Sequence, residues 1–178
     1  MESTFLGVVR QVIGAKIIVE ISDDIPSSSP IIDGRLYRLG QVGSFVRIAL
    51  GFIDIYGIVS MVSVSPHDFT DDAPHTWSPG RRWLQVQLVG EAPRGGSFQR
   101  GVGVFPTLEE EVHVVTEEDL RRIYSTGSGS LPIGTHSASS ALPATVDLDR
   151  LVTRHSAILG STGSGKSNTV ATVLKALT

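Results

Sequence analysis

The sequence contains no cysteine. That excludes a disulfide framework and any thiolate-ligated metal site, and it suits a cytoplasmic protein. Aromatic residues make up only 6% of the chain, so stacking platforms for nucleobases are scarce. No apolar run approaches the roughly 20 residues of a membrane-spanning helix. The first residues, Met1-Glu-Ser-Thr-Phe5, lack the positive flank and long apolar stretch of a secretory signal. The five histidines, at 67, 75, 113, 136 and 155, are scattered without zinc-like spacing. Strong charge of either sign is also missing: the net charge is −3 over 178 residues. Residues 1–124 hold 11 Lys/Arg and 16 Asp/Glu, whereas residues 125–178 hold 4 and 2. An acidic first part argues against a general grip on nucleic acid, which needs basic surface.

Glycine is plentiful, and its placement organises the reading. Gly160-Ser161-Thr162-Gly163-Ser164-Gly165-Lys166-Ser167 fits G-x-x-x-x-G-K-[ST] without mismatch. The apolar run Ala157-Ile158-Leu159 before it reads as a buried parallel strand. Val170, Ala171, Val173, Leu174 and Leu177 after it are spaced like one face of a helix. Strand, glycine loop and helix together make a phosphate cradle. The glycines allow a tight turn, and backbone N–H groups converge at the positive end of the helix. Lys166 would carry charge to the β- and γ-phosphates, and the Ser167 hydroxyl would bind Mg²⁺. The bland alternative is a Gly/Ser-rich turn that happens to hold a lysine. Ser125-Thr-Gly-Ser-Gly-Ser130 serves as a contrast: it has a similar Gly/Ser pattern but lacks the lysine, follows a charged segment, and reads as a flexible linker.

A nucleotide-hydrolysing domain also needs further strands, an acidic residue for Mg²⁺ and a residue that positions water. None follows the helix in these 178 residues. The expectation is therefore a piece of a longer ATPase, or an idle motif.

Upstream, residues 1–115 read as strands. Phe5–Val12 and Lys16–Ile21 suit a hairpin around Gly14. Residues 22–34 read as a loop, Arg35–Leu39 as a short edge strand, and Ser44–Leu50 and Phe52–Val64 as strands, with Gly57 able to bend or bulge the last. Residues 66–80 read as an exposed loop. Arg81–Gly90 alternates cleanly, Phe98–Val104 reads as a curved strand, Pro106–Glu111 as an acidic turn and Val112–Val115 as a strand. About seven short strands with frequent glycines and no intervening helix favour a small β-barrel. Thr116-Glu-Glu-Asp119 then starts a short helix with a capping signal, and Leu120, Ile123 and Tyr124 would face a core. Residues 125–145 read as a linker. Residues 145–151 suit a helical turn that braces the P-loop strand.

Val146-Asp-Leu-Asp-Arg-Leu-Val-Thr-Arg-His-Ser-Ala-Ile-Leu-Gly-Ser-Thr-Gly-Ser-Gly-Lys-Ser-Asn-Thr-Val170 resembles the entrance to the motor domain of HerA-type ATPases, and the 1–124 region looks like that family's HAS-barrel. The implied fold is mainly β: a HAS-like barrel at 1–124, a linker at 125–145, and the first strand, P-loop and helix of an incomplete RecA-like α/β domain at 146–178. The resemblance implies a hexameric ring that hydrolyses ATP with Mg²⁺ and moves along double-stranded DNA, its barrels docking a nuclease or antiphage effector through loops 22–34 and 66–80. Carried over by residue, Gly160, Ser161, Thr162, Gly163, Ser164 and Gly165 form the loop. Lys166 is its catalytic cation, Ser167 its Mg²⁺ ligand, and Asn168 and Thr169 flank the α-phosphate. Two other functions stay open: a non-enzymatic adaptor barrel with a vestigial P-loop, and an OB-like nucleic-acid module, which the acidic balance disfavours.

Overall fold

A computed structural model of the chain describes residues 4–25, 31–32, 35–36, 41–64, 81–125, 129–136 and 139–177. They form two compact units, Met1–Thr116 and Glu117–Thr178.

The first unit is a closed six-stranded barrel. Its strands are β1 (Phe5–Ile13), β2 (Lys16–Ile21), β5 (Phe45–Leu50), β6 (Ile53–Ser63), β7 (Trp83–Pro93) and β9 (Glu111–Val114). Around the wall they run β2-β1-β9-β5-β6-β7, and β7 pairs back onto β2. Every pairing is antiparallel. Closure uses both edges of each barrel strand in a ladder, which removes the open edges that invite aggregation. The short pairs β3 (Ile31–Ile32) with β4 (Arg35–Leu36), and β8 (Gln99–Arg100) on β7, lie outside this ring.

Alternation along the strands fills the interior. Ile17 and Val19 of β2, Val46 and Ile48 of β5, Ile55 and Val59 of β6, Leu84 and Val86 of β7, and Val112 of β9 join one buried cluster. β-branched side chains dominate it, as suits a pleated wall that is tightly curved. Curvature also needs close approach between strands. At Gly7 a Cβ would stand 2.0 Å from the Glu20 carbonyl oxygen, so no larger residue fits there. Register shifts fall at Phe5/Gly7 and Val9/Gln11 in β1, and at Tyr56/Gly57 and Val59/Met61 in β6. These bulges turn the strands around the barrel. Gly57 thus sits at a bulge, as its place in the sequence suggests.

The expected strand at 98–104 shrinks to β8. Gly101 adopts φ 92°, which takes the chain off the ladder, and the Gly103 N–H donates instead to the Glu91 carboxylate at 2.8 Å. The acidic turn closes back on β1. Glu109 has φ 66°, and its N–H donates to the Val9 carbonyl at 2.8 Å.

A charged cluster marks the outer side of the barrel's closing seam. Glu20 of β2 is buried. It accepts from Arg10 Nε at 2.6 Å and from Arg81, just ahead of β7. Arg10 also pairs with Glu109, and Arg81 with Asp23 at 3.5 Å. Burial works against ionisation of Glu20. The hydrogen bonds and charges of Arg81 and Arg10 overcome it and hold the carboxyl below its ordinary range.

The second unit comprises α1 (Glu117–Ile123), a hairpin of β10 (Ser130–His136) and β11 (Ser139–Asp147), α2 (Leu148–Thr153) and α3 (Lys166–Ala176). Here the structure departs from the expected linker at 125–145. Pro132 and Pro143 are tolerated in these strands because each strand of a two-stranded hairpin keeps one edge outside the ladder, where a missing N–H costs nothing. Register shifts beside Gly134 and His136 absorb the remaining irregularity. Leu131 and Leu142 are buried, and the hairpin packs on α1, α2 and α3. Asp147 ends β11 and caps α2, its carboxylate accepting from the Arg150 N–H at 3.0 Å. Among the described residues no helix is long and apolar enough to cross a membrane.

Candidate functional site

The residues expected to form a phosphate loop divide between a loop and a helix start. Gly160 to Gly165 form the loop, and Lys166, Ser167, Asn168 and Thr169 form the first turn of α3. Gly165 sits at the helix N-cap with φ 89°, and Gly163 has φ 81°. Both conformations belong to the left-handed region that side-chain-bearing residues seldom enter. Gly160 is required for a different reason: a Cβ there would lie 2.4 Å from Ser164 Oγ. One N–H closes the loop inward, from Ser164 to the Ser161 carbonyl at 3.2 Å.

The N-terminus of α3 is suited to an anion. No side chain caps it, and no acid lies in its first turn. Its leading N–H groups and the helix dipole therefore point toward solvent. Lys166 folds over the loop, donating from Nζ to the Gly160 carbonyl at 2.9 Å and the Ser161 carbonyl at 2.6 Å. These bonds place an ammonium at the mouth of the cradle. Thr169 is tied to its own helix, with N–H and hydroxyl both directed at the Gly165 carbonyl, at 2.9 and 3.2 Å. Ser167 and Asn168 are exposed.

The strand expected at 157–159 does not form. Residues 155–161 carry no ladder, Ile158 is 43% and Leu159 89% exposed. A parallel strand exists only beside other strands, and among the described residues none lies next to it. The same holds for the apolar stripe of α3: Val170, Leu174 and Leu177 remain 41–59% exposed. The spacing of those residues was legible, and the surface that would bury them is absent from the described residues. His155, expected beside the site, is exposed as well.

Residues 131–178 match the family model described as the central domain of helicase HerA. A 68-residue stretch is 37% identical to the DNA double-strand break repair helicase HerA of Pyrococcus furiosus, covering 38% of this chain and 12% of that protein. The chain is related to the HerA helicases. The relationship takes in the β10–β11 hairpin as well as the P-loop, since the HerA match begins at Leu131. The closed barrel precedes the HerA-matching segment in the chain. The chain spans about an eighth of the length of the Pyrococcus protein.

Loop 66–80, expected to meet an effector, lies outside the described residues, as does most of 26–34. Sequence reasoning also missed a shallow cavity of about 350 Å³ in the second unit. It is built partly on the β10–β11 hairpin.

Proposed function

We propose that this chain is the N-terminal part of an ATP-driven DNA translocase of HerA type, with an ATP–Mg²⁺ site at Gly160–Thr169. The observation that carries the proposal is the loop geometry: two left-handed glycines, a third packed beneath Ser164, an uncapped helix start, and Lys166 at its mouth. In this reading the loop N–H groups and Lys166 hold the phosphates, Ser167 takes the Mg²⁺, and Asn168 and Thr169 lie beside the α-phosphate. Bound Mg²⁺ would supply charge neutralisation between the phosphates. Nucleotide must draw Lys166 off the Gly160 and Ser161 carbonyls, exchanging two neutral acceptors for charged ones.

Residues 1–116 serve as an assembly barrel, and the unit that follows, hairpin included, leads into a RecA-like domain. Ile158, Leu159 and the stripe of α3 are exposed because their partners are strands and helices from outside this sequence. The barrels gather the protein into a ring, as a hexamer around double-stranded DNA, and dock a nuclease or antiphage effector. The reading places the protein in the cytoplasm. The alternative of a non-enzymatic adaptor keeps the barrel and makes the P-loop vestigial.

The test is ATP–Mg²⁺ binding by the protein as its native source makes it, against Lys166→Ala. Loss of a charged phosphate contact is expected to weaken binding about a hundredfold or more, at roughly 3 kcal/mol. Equal affinity in the two would favour the adaptor.

A further inference from the structure

The cavity in the second unit has the composition of a small-ligand site. It lies between the end of α1 and the hairpin, lined by Arg121, Tyr124, Ser130, Leu142, Pro143 and Thr145, with Ser125 at its edge. Its volume of about 350 Å³ is at the small end of ligand pockets, which run from about 300 to 1,000 Å³. Three kinds of surface meet there. Leu142, buried in the hairpin, and Pro143 supply an apolar floor. Tyr124 supplies a flat wall that is held in place: its ring lies against His136 with centroids 4.2 Å apart. Burial of Tyr124 also pushes its phenol above the ordinary range, so it remains a neutral hydroxyl. Arg121 supplies the charge. Among the described residues its guanidinium meets Glu117 on its own helix, at a long 3.4 Å, and a guanidinium has five donors to offer. The hydroxyls of Ser130 and Thr145 complete the lining.

A flat apolar wall, a cation and hydroxyls in a space this small suit a planar heterocycle that carries one anionic group. We propose that this cavity binds a nucleoside monophosphate, with the base against Tyr124 and Pro143 and the phosphate on Arg121. Aromatic faces take any base, and the guanidinium fork matches phosphate. The hydroxyls of Ser130 and Thr145 would meet heteroatoms of the base or ribose. Such a site is separate from the P-loop, whose lysine reaches β- and γ-phosphates that a monophosphate lacks. The inference therefore stands or falls independently of the ATP site. The same chemistry would come from a free mononucleotide or from the 5′-phosphorylated end of a strand.

The experiment is calorimetric titration of the chain with AMP, in the wild type and in Lys166→Ala, Arg121→Gln and Tyr124→Leu. Circular dichroism establishes that each variant is folded. One equivalent of AMP is expected to bind to wild type and Lys166→Ala alike. Arg121→Gln, on the exposed rim, is expected to weaken AMP at least about tenfold while leaving adenosine, which has no phosphate, unchanged. Tyr124→Leu should weaken both. A 5′-phosphorylated trinucleotide that binds tighter than AMP, with the same dependence on Arg121, would assign the source as a strand end; AMP binding at least as tightly assigns a free nucleotide. The proposal is overturned if wild type does not bind AMP, if Lys166→Ala abolishes binding, or if Arg121→Gln leaves it unchanged.

Discussion

Glu20 is the carboxylate on which the barrel's closing seam depends. Replacing it with alanine takes the acceptor from Arg10 and Arg81 at once. Breaking a fully buried ion pair costs about 3–5 kcal/mol, whereas an exposed pair is worth about 0–1. The Glu20 side chain is 8% exposed, but Arg10 and Arg81 are 33% and 39% exposed. The stranded guanidinium groups can therefore recover water, and Arg10 keeps Glu109. The expected loss lies between the two limits, at about 2–3 kcal/mol. Urea unfolding followed by tryptophan fluorescence reads it directly, because Trp83 pairs with Glu20 across β7 and β2. With a slope of about 1–3 kcal/mol/M, the midpoint should fall by about 0.7 M or more. Glu20→Gln keeps the shape and one acceptor oxygen, and should lose about half as much. The pH dependence follows from the lowered carboxyl. Its stabilisation is fully present above the ordinary glutamate pKa of about 4.3 and is lost as pH falls through the lower folded value. Glu20→Gln should flatten that acid limb. A midpoint shift below about 0.3 M for the alanine variant, with an unchanged acid limb in Glu20→Gln, would refute the reasoning.

Three further outcomes are expected. Gly7→Ala should destabilise the barrel by about 3 kcal/mol or more, since overpacking typically costs 1–3 and the clash here is with a backbone carbonyl; thermal unfolding measures it. Gly160→Ala should weaken ATP about tenfold by displacing the Ser164 hydroxyl, and adding Ser164→Gly should restore part of the loss in the same binding assay. Leu159→Asp should change the stability of the isolated chain by less than about 0.5 kcal/mol, as Leu159 is exposed, yet abolish ATP hydrolysis in the native protein if the strand there joins a larger sheet.

Legibility in the sequence followed the reach of the interactions. The barrel strands alternate within a few residues, and hairpin glycines such as Gly14 and Gly51 carry their left-handed turns locally, so strands and closure could both be inferred. The glycine turn at 160–165 and the start of α3 could be inferred for the same reason, since the residues that make them are contiguous. What failed depends on partners that the local composition does not announce. Ala157-Ile158-Leu159 has the composition of a core strand but nothing beside it in the described residues. The β10–β11 hairpin was hidden by Pro132, Pro143 and a Gly/Ser-rich lead-in, and only its cross-strand partners make those residues strands. The Glu20 cluster gave no local signal either. It gathers residues 10, 20, 81 and 109, which only barrel closure brings together.

The central claim is that Lys166 belongs to a working nucleotide site. The most direct measurement is steady-state ATP hydrolysis by the protein isolated from its native source, with double-stranded DNA present, compared with its Lys166→Ala variant. Mg²⁺-dependent turnover is expected, falling at least a hundredfold in the variant while the barrel's unfolding midpoint stays unchanged. Absent turnover in the wild type, or equal turnover in both, would contradict that claim.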